Sequence, residues 1–228
     1  MPNIRKLDEK TVSKIAAGEV IERPLSVVKE LLENAIDAAA AEIAVELLDG
    51  GHRLIRVSDN GCGMSPQDVR LAVDSHTTSK LADIADLDSL ATLGFRGEAL
   101  HSIAAVSRTT VITRRNDEEV GACLRVEGSK IISEEPAARN PGTTVEVENL
   151  FYNLPARQKF LKTPRSEVQA IGNFLTRVFI AYPEVSFHFT HNDVEVYRME
   201  PAESAIERVR AVMGREIAGA LEEERGHL

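Results

Sequence analysis

Apolar and polar positions follow two different periods along this chain, and the order of the segments predicts an α+β fold. Alternation at every second position indicates a strand, and apolar residues three or four positions apart indicate a helix. The alternating segments, predicted as strands, are residues 43–48, 53–59, 106–113, 120–126, 130–133, 142–147, 185–190 and 194–197. The helical segments run from Pro24 to about Ala41, onwards from Ser65-Pro66, and over residues 98–105, 166–181 and about 206–213.

The turns between neighbouring strands indicate the kind of sheet. Asp49-Gly50-Gly51 and Asn192-Asp193 each separate two strand segments by the short distance that a hairpin needs. Because hairpins make neighbouring strands antiparallel, we expect an antiparallel or mixed sheet with helices layered on one face.

Two segments show no sustained period. Residues 1–23 are interpreted as an N-terminal arm with a short helix. Residues 76–97 are interpreted as a long mobile loop, because Thr, Ser, Asp and Gly interrupt its short apolar pieces.

Composition narrows the class of protein. With 228 residues and 43% hydrophobic content, the chain can bury a sizeable core. It contains no apolar run of about eighteen residues that would span a membrane, and no signal-peptide pattern at its start. The two cysteines, Cys62 and Cys123, form neither a disulfide framework nor a metal-site spacing. We therefore expect a cytoplasmic protein without membrane contact.

The net charge of −9 argues against a general nucleic-acid clamp, because phosphate binding depends on basic surface. A local exception is the stretch with Arg157, Lys159, Lys162 and Arg165, which contains no acidic residue. Two interpretations stay open for this stretch, a DNA contact and an ordinary solvated face.

A polar stripe lies along the first long helix. Glu30, Asn34 and Asp37 occupy positions i, i+4 and i+7, which fall within about 40° of one another around a helix. A solvated helix face would explain the stripe. Asn is a poor residue in a helix interior, however, and with a carboxylate one turn earlier it can hold a metal ion and a water.

Asp59 is the second candidate. Ile55 and Val57 share one face of their strand, and a period of two places Asp59 on that same core-facing side. A carboxylate there must find hydrogen-bond donors. Gly61 and Gly63 permit a tight turn and the close approach of a ligand, and the alternative is a plain Asx turn.

Two weaker signals follow. Thr143 shares a strand face with Val145, either as a satisfied strand threonine or as part of a site. Gly94 and Gly97 precede a helix, where free N–H groups attract anions, and Lys80 would add positive charge. An ordinary capped helix is the alternative.

The ordered combination of these signals resembles a known group of enzymes. P-loop, Rossmann, zincin and nucleophile-elbow motifs are absent. E-x-x-x-N-x-x-D, then D-x-G-x-G, then G-x-x-G before a helix and G-T in a strand is similar to the pattern of the GHKL ATPases. This group includes DNA gyrase B, Hsp90-type chaperones, histidine kinases and MutL.

Three longer segments resemble the MutL mismatch-repair family within that group. They are I-A-A-G-E-V-I-E-R-P at 15–24, G-F-R-G-E-A-L at 94–100 and F-Y-N-L-P-A-R at 151–157. The resemblance extends from about residue 4 to about residue 213. Among the small departures, Ala39 stands where the family usually has Gly.

The resemblance implies a fold and a set of site residues. The fold would be a two-layer α/β sandwich with a mixed, mostly antiparallel sheet, and ATP would lie between the helices and the sheet. Glu30 would be the general base, Asn34 the Mg²⁺ ligand, and Asp59 the acceptor for the adenine amino group, supported by Thr143. The other residues implied in ATP binding are Gly61, Gly63, Met64, Thr77, Thr78, Ser79, Lys80, Gly94, Phe95, Arg96, Gly97, Glu98, Ala99 and Leu100.

The resemblance also implies an organisation and partners. Residues 1–20 would be a dimerisation arm, residues 21–200 the ATP-binding domain, and residues 201–228 the start of a truncated second domain. A homodimer would form on ATP binding, and a mismatch-recognition protein and DNA would be partners of the full-length protein at the bacterial nucleoid.

The family uses a lysine of the following domain at the γ-phosphate, and no lysine follows Lys162 here. We therefore expect a fragment with slow ATP hydrolysis. Two alternatives stay open: the ATP-binding module of another GHKL protein, and a fragment that binds ATP without significant turnover.

Overall fold

The computed structural model describes residues 16–74 and 99–214. The helices are α1 Pro24–Asp37, α2 Pro66–Ala72, α3 Ala99–Ala105, α4 Pro155–Lys159, α5 Pro164–Ala181 and α6 Ala205–Met213. The strands are β1 Glu42–Leu48, β2 Leu54–Asp59, β3 Arg108–Arg114, β4 Gly121–Glu127, β5 Lys130–Ala137, β6 Gly142–Glu148, β7 Ser186–His191 and β8 Val194–Met199. Residues 16–20 are also helical, and a short 3-10 turn, Asp49–Gly51, joins β1 to β2.

All eight strands belong to one sheet, in the order β5-β4-β3-β6-β2-β1-β7-β8. Every neighbouring pair is antiparallel except β1 and β7, which run parallel. The predicted mixed, mostly antiparallel sheet is confirmed. The strand predicted at 130–133 is longer than expected, because β5 pairs with β4 as far as Ala137. The pattern did not predict the short helix α4.

Helix α1 begins where proline favours a helix start and ends earlier than predicted. Pro24 occupies the first position, where its missing N–H costs nothing. The helix stops at Asp37 and not at about Ala41, because Ala39 adopts a φ of 55°. The N–H of Ala40 then donates to the carbonyl of Ala35 at 3.1 Å, which closes the helix end in a Schellman turn.

The two faces of the sheet differ in chemistry. Apolar side chains of alternate residues point to the helix-covered face, where Val57 of β2 lies between Val45 and Val145 of its neighbours. On the other face, Arg56 forms ion pairs with Glu46 and Glu146. The single helical layer therefore covers the apolar face, as expected for a two-layer sandwich.

The helices pack their apolar stripes onto this face as predicted. The buried residues of α1 are Pro24, Val27, Val28, Leu31, Leu32 and Ala35, and those of α5 include Ile171, Leu175 and Val178. Ser65 caps α2 in a capping box with Asp68, which confirms the predicted start of that helix. Across residues 16–74 and 99–214, no helix has the length and apolar character needed to cross a bilayer.

Some predictions fall outside the described residues. These are most of the N-terminal arm and the loop at 76–97. The domain boundary predicted at residue 201 stays a prediction.

Helix α6 lies against α5, and its buried Arg208 donates hydrogen bonds to the carbonyl groups of Pro183, Val185 and Glu200.

Candidate functional site

One side of the candidate site is the polar stripe of α1. Helix α1 lies against β2, with Glu30 half-buried and Asn34 exposed on the side opposite the buried residues. Burial raises the pKa of the Glu33 carboxyl; Lys29 lowers it, and the nearby charges of Glu30 and Asp37 raise it further. The carboxyl groups of Glu30, Glu33 and Asp37 therefore lie near one another on this helix.

The opposite side is the end of β2, where Asp59 lies on the core face as predicted. Its Oδ1 accepts hydrogen bonds from the backbone N–H of Gly61 at 2.8 Å and of Thr143 at 3.2 Å. Within the described residues, Oδ2 accepts no hydrogen bond from the protein. Asp59 therefore combines a fixed carboxylate with one acceptor oxygen left for a ligand.

Burial raises the pKa of the Asp59 carboxyl. The two backbone N–H donors and the positive charge of Arg139 oppose this effect and favour the ionised form. The carboxylate is thus held in place by groups that favour its negative charge.

Two glycines allow the backbone segments to meet around Asp59. Gly142 has a φ of 120°, and a Cβ there would lie 2.1 Å from the carbonyl oxygen of Asp59. Gly63 has a φ of 68°, and a Cβ there would lie 2.0 Å from the carbonyl oxygen of Arg114. Any side chain at either position would separate the loop after β2 from β6 or from β3.

Thr113 is a site residue that the sequence did not single out. Its hydroxyl accepts a hydrogen bond from the N–H of Met64 at 2.9 Å and lies 3.0 Å from the Thr143 hydroxyl. It also lies within donating distance of the Gly142 carbonyl, at 3.1 Å. Thr113 is fully buried near the end of β3, and its hydroxyl joins the loop after β2 to β6 from the core side. The sequence could have identified Thr113 by the same signal as Asp59, which is a polar residue on the core face at the end of a strand.

The loop after β2 is also joined to α1 and β1. The Asn60 Oδ1 accepts hydrogen bonds from the N–H groups of Ala41 and Glu42, both at 2.9 Å. The N–H of Cys62 donates to the carbonyl of Ala38, just past α1, at 3.0 Å. The helix with Glu30 is therefore connected through the backbone to the loop that follows Asp59.

The structure places the other predicted site residues in different surroundings. Met64 is partly buried against the core, and Ala99 is half-buried at the start of α3. The Leu100 side chain belongs to the core, with 9% of its surface exposed. The predicted residues outside the described ranges are Thr77, Thr78, Ser79, Lys80, Gly94, Phe95, Arg96, Gly97 and Glu98.

Two hollows on the described surface lie away from these residues. One is at the hairpin ends, between Asp49, Arg53 and Asn192, and the other is on the outer face of β3 and β4. Neither hollow is lined by Asp59 or by a residue of α1. Asp59 and α1 remain the candidate site on chemical grounds.

Comparison with known proteins identifies the family. Residues 22–154 match the family described as histidine kinase-, DNA gyrase B-, and HSP90-like ATPase. The solved structure of the Aquifex aeolicus MutL ATPase domain complexed with ADP is 34% identical, with a TM-score of 0.68 over 85% of this chain and 70% of that one. This chain belongs to the MutL family of GHKL-type ATPase domains.

Further MutL relatives agree. The DNA mismatch repair protein MutL of Symbiobacterium thermophilum is 49% identical over 221 residues, 97% of this chain and 35% of the relative. The crystal structure of the N terminal domain of a DNA repair protein is 31% identical, with a TM-score of 0.76 over 89% of this chain and 60% of that one. The chain thus spans about a third of the length of that curated MutL. The resemblance to the MutL family and the expected GHKL fold are both confirmed, and another branch of the GHKL group is excluded.

Proposed function

We propose that this chain binds ATP with Mg²⁺, hydrolyses it slowly, and acts as a nucleotide-driven dimerisation switch in a MutL-type mismatch-repair protein. The observation that carries the proposal is the Asp59 carboxylate, whose Oδ1 is held by two backbone donors and whose Oδ2 accepts no hydrogen bond from the described residues. Family membership and the ADP bound to the Aquifex aeolicus relative support it.

In the proposed complex, Asp59 accepts a hydrogen bond from the adenine amino group. Guanine has a carbonyl at that position, which cannot donate, so the carboxylate selects adenine. Thr143 belongs to the same network, because its N–H and its hydroxyl connect to Asp59 and Thr113. Gly61, Gly63 and Met64 form the turn beside the base.

The stripe of α1 fits a magnesium-dependent reaction. Mg²⁺ prefers oxygen ligands and is commonly held by one or two side chains together with substrate phosphates. The exposed amide of Asn34 on the negative face of α1 suits this role. When bound, the ion offsets the charge of the triphosphate. Glu30, one turn earlier, would accept the proton of the attacking water.

Two further segments complete the proposed site. Thr77 to Lys80 and Gly94 to Leu100 would border and grip the phosphates as a lid. This part of the proposal rests on the family resemblance and on the glycines that precede α3.

The wider proposal concerns assembly. Residues 1–20 would be a dimerisation arm, residues 21–200 the ATP-binding domain and residues 201–228 the beginning of a second domain. The homodimer would form on ATP binding, and mismatch-recognition protein and DNA would be partners of a longer protein in the cytoplasm, at the nucleoid. The names of the relatives, which are DNA mismatch repair proteins, support this role.

The first test separates binding from turnover at three residues. Asp59→Asn should lower the affinity for a non-hydrolysable ATP analogue about ten- to a hundredfold, because a charge-assisted hydrogen bond is lost. Glu30→Ala should keep that affinity and lose turnover by about 10²–10⁴-fold. Asn34→Ala should weaken binding only in the presence of Mg²⁺. Calorimetric titration and steady-state ATPase assays measure these effects.

Arg125→Met is a matched control, because Arg125 is exposed on the outer face of β4. Near-equal affinity of wild type and Asp59→Asn would reject the adenine site. A wild-type turnover rate in Glu30→Ala would reject the general base. Sedimentation with and without Mg-ATP tests the switch, and an unchanged monomer fraction would reject ATP-driven dimerisation.

A further inference from the structure

Arg139 binds three backbone carbonyl groups from three segments around the candidate site. It lies half-buried in the loop between β5 and β6. Its Nη1 donates to the carbonyl of Ile112 at 2.6 Å, its Nη2 to that of Asp59 at 3.1 Å, and its Nε to that of Asn140 at 3.0 Å. The planar guanidinium therefore connects its own loop, through Asn140, to β3 and to the end of β2.

These contacts fix the backbone of Asp59. The Asp59 carbonyl receives the Arg139 hydrogen bond on one side, and Gly142 lies against it on the other. With the backbone held, Oδ1 can meet the N–H groups of Gly61 and Thr143, while Oδ2 accepts no hydrogen bond within residues 16–74 and 99–214. A shift of this backbone would misplace both oxygens.

Arg139 also acts on the charge of Asp59. Among the described residues, Arg139 is the charged side chain that favours the ionised carboxyl, alongside the two N–H donors from the turn and β6. Burial lowers the pKa of Arg139, Asp59 raises it, and Arg114 at the end of β3 lowers it as a like charge. Arg114 itself donates to the carbonyl of Glu118.

We propose that Arg139 is a positioning residue for adenine recognition, which holds the Asp59 backbone in place and sets a positive charge near its carboxylate. This inference rests on the proposed ATP site. Arg139 does not touch the reacting phosphates in this proposal and acts through Asp59 alone.

The sign of the pH effect follows from the chemistry. Only the ionised Asp59 can accept at Oδ1 from its two backbone donors and at Oδ2 from the adenine amino group without a competing O–H. Affinity therefore falls as the pH drops below the pKa of this carboxyl, by about tenfold per pH unit. Without the positive charge of Arg139 the pKa of Asp59 is higher, so the loss begins at a higher pH.

Two variants separate position from charge. Affinities for a non-hydrolysable ATP analogue with Mg²⁺ are measured by calorimetry between pH 5.5 and pH 8, each relative to wild type. The ratio cancels titration of the nucleotide itself. For Arg139→Met we expect the ratio of wild-type to variant affinity to grow as the pH falls across this range. Arg139→Lys keeps the charge but loses the planar fork, so its affinity should fall about three- to tenfold at every pH.

Arg125→Met, on the outer sheet face, is the control and should follow wild type throughout. If Asp59→Asn loses affinity while Arg139→Met keeps a constant ratio across the pH range, this inference is wrong and the adenine site stands. If Asp59→Asn binds like wild type, both are wrong. A pH-dependent ratio for Arg139→Lys would also overturn the charge role, even if Arg139→Met did not fold.

Discussion

Ala39 shows how a single residue determines where a helix ends. Ala39 lies in a run of four alanines, residues 38–41, which favours helix continuation and predicts a helix to about residue 41. The structure instead places Ala39 in the left-handed region, with a φ of 55°. The helix end depends on this conformation, because the N–H groups of Ala39 and Ala40 close the last turn.

Replacing Ala39 with Gly should stabilise the protein. A residue with a Cβ costs about 1–2 kcal/mol in the left-handed region, and Gly adopts it freely but loses more backbone entropy on folding. We expect a net gain of about 0.5–1 kcal/mol, or a rise in Tm of about 1–4 °C. Ala38→Gly is the control, because Ala38 already has an unstrained φ of −78° and the substitution therefore relieves no strain. Thermal unfolding measures the difference in Tm. A stability of Ala39→Gly equal to or lower than that of the wild type would contradict strain at this position.

The sequence predicted part of the site at this scale. Asp59 and Thr143 could be placed on the core face because strand periodicity fixes the direction of a side chain. Arg139 could not, because it lies in a loop without periodicity and acts on backbone carbonyl groups that are distant in sequence. Such contacts depend on the fold of three segments together.

At the scale of elements, α1 and α5 are joined by a buried ion pair. Arg23, at the N-cap of α1, donates from Nε and Nη2 to Oε2 of Glu167 at 3.1 and 3.0 Å. The Glu167 side chain is fully buried and that of Arg23 is 26% exposed. Among the described residues the second Glu167 oxygen has no partner. The position of α1, and with it the stripe of Glu30, therefore depends on a charge buried in another helix.

Replacing one member of this ion pair should lower the free energy of unfolding more than replacing both members. Arg23→Met leaves a buried carboxylate without its counter-charge and should destabilise by about 3 kcal/mol, the lower end for buried pairs because Arg23 is partly exposed. The double variant Arg23→Met with Glu167→Met should recover much of that loss, because no buried charge remains. Urea unfolding of both single variants and the double variant gives the coupling energy.

Lys29→Met serves as the control, since the Lys29 side chain is 52% exposed in its pair with Glu33, against 26% for Arg23, and its loss should change stability by less than about 1 kcal/mol. Additive losses in the double variant would show that the pair does not couple the two helices.

At the scale of the whole molecule, the sheet depends on contacts between distant parts of the chain. The hairpins β1–β2, β3–β4, β4–β5 and β7–β8 were predictable, because a short turn makes neighbours of successive strands. The pairing of β1 with β7 could not be predicted, because no local sequence pattern relates two strands that are so far apart along the chain. The placement of β6 between β3 and β2 is of the same kind.

The parallel pair predicts the result of shortening the chain. A version that ends at residue 160 lacks α5, β7 and β8, so β1 loses a neighbour and the core loses Phe179 and Phe187, whose rings are 4.9 Å apart. We expect no cooperative urea transition and binding of a hydrophobic dye. A version that ends at residue 214 is the control and should unfold cooperatively. Cooperative unfolding of the shorter version would show that residues 1–160 fold alone.

The same parallel pair determines the order of events during synthesis. Glu42 emerges from the ribosome roughly 140 residues before its partner Ser186. At about 5–20 residues per second, β1 waits about 7–28 s with one unpaired edge. An unpaired edge is a template for pairing with another chain, so nascent copies on one messenger are exposed to one another during this interval. The synthesis of β7 therefore ends a period in which the nascent protein depends on chaperones or on its distance from neighbouring copies.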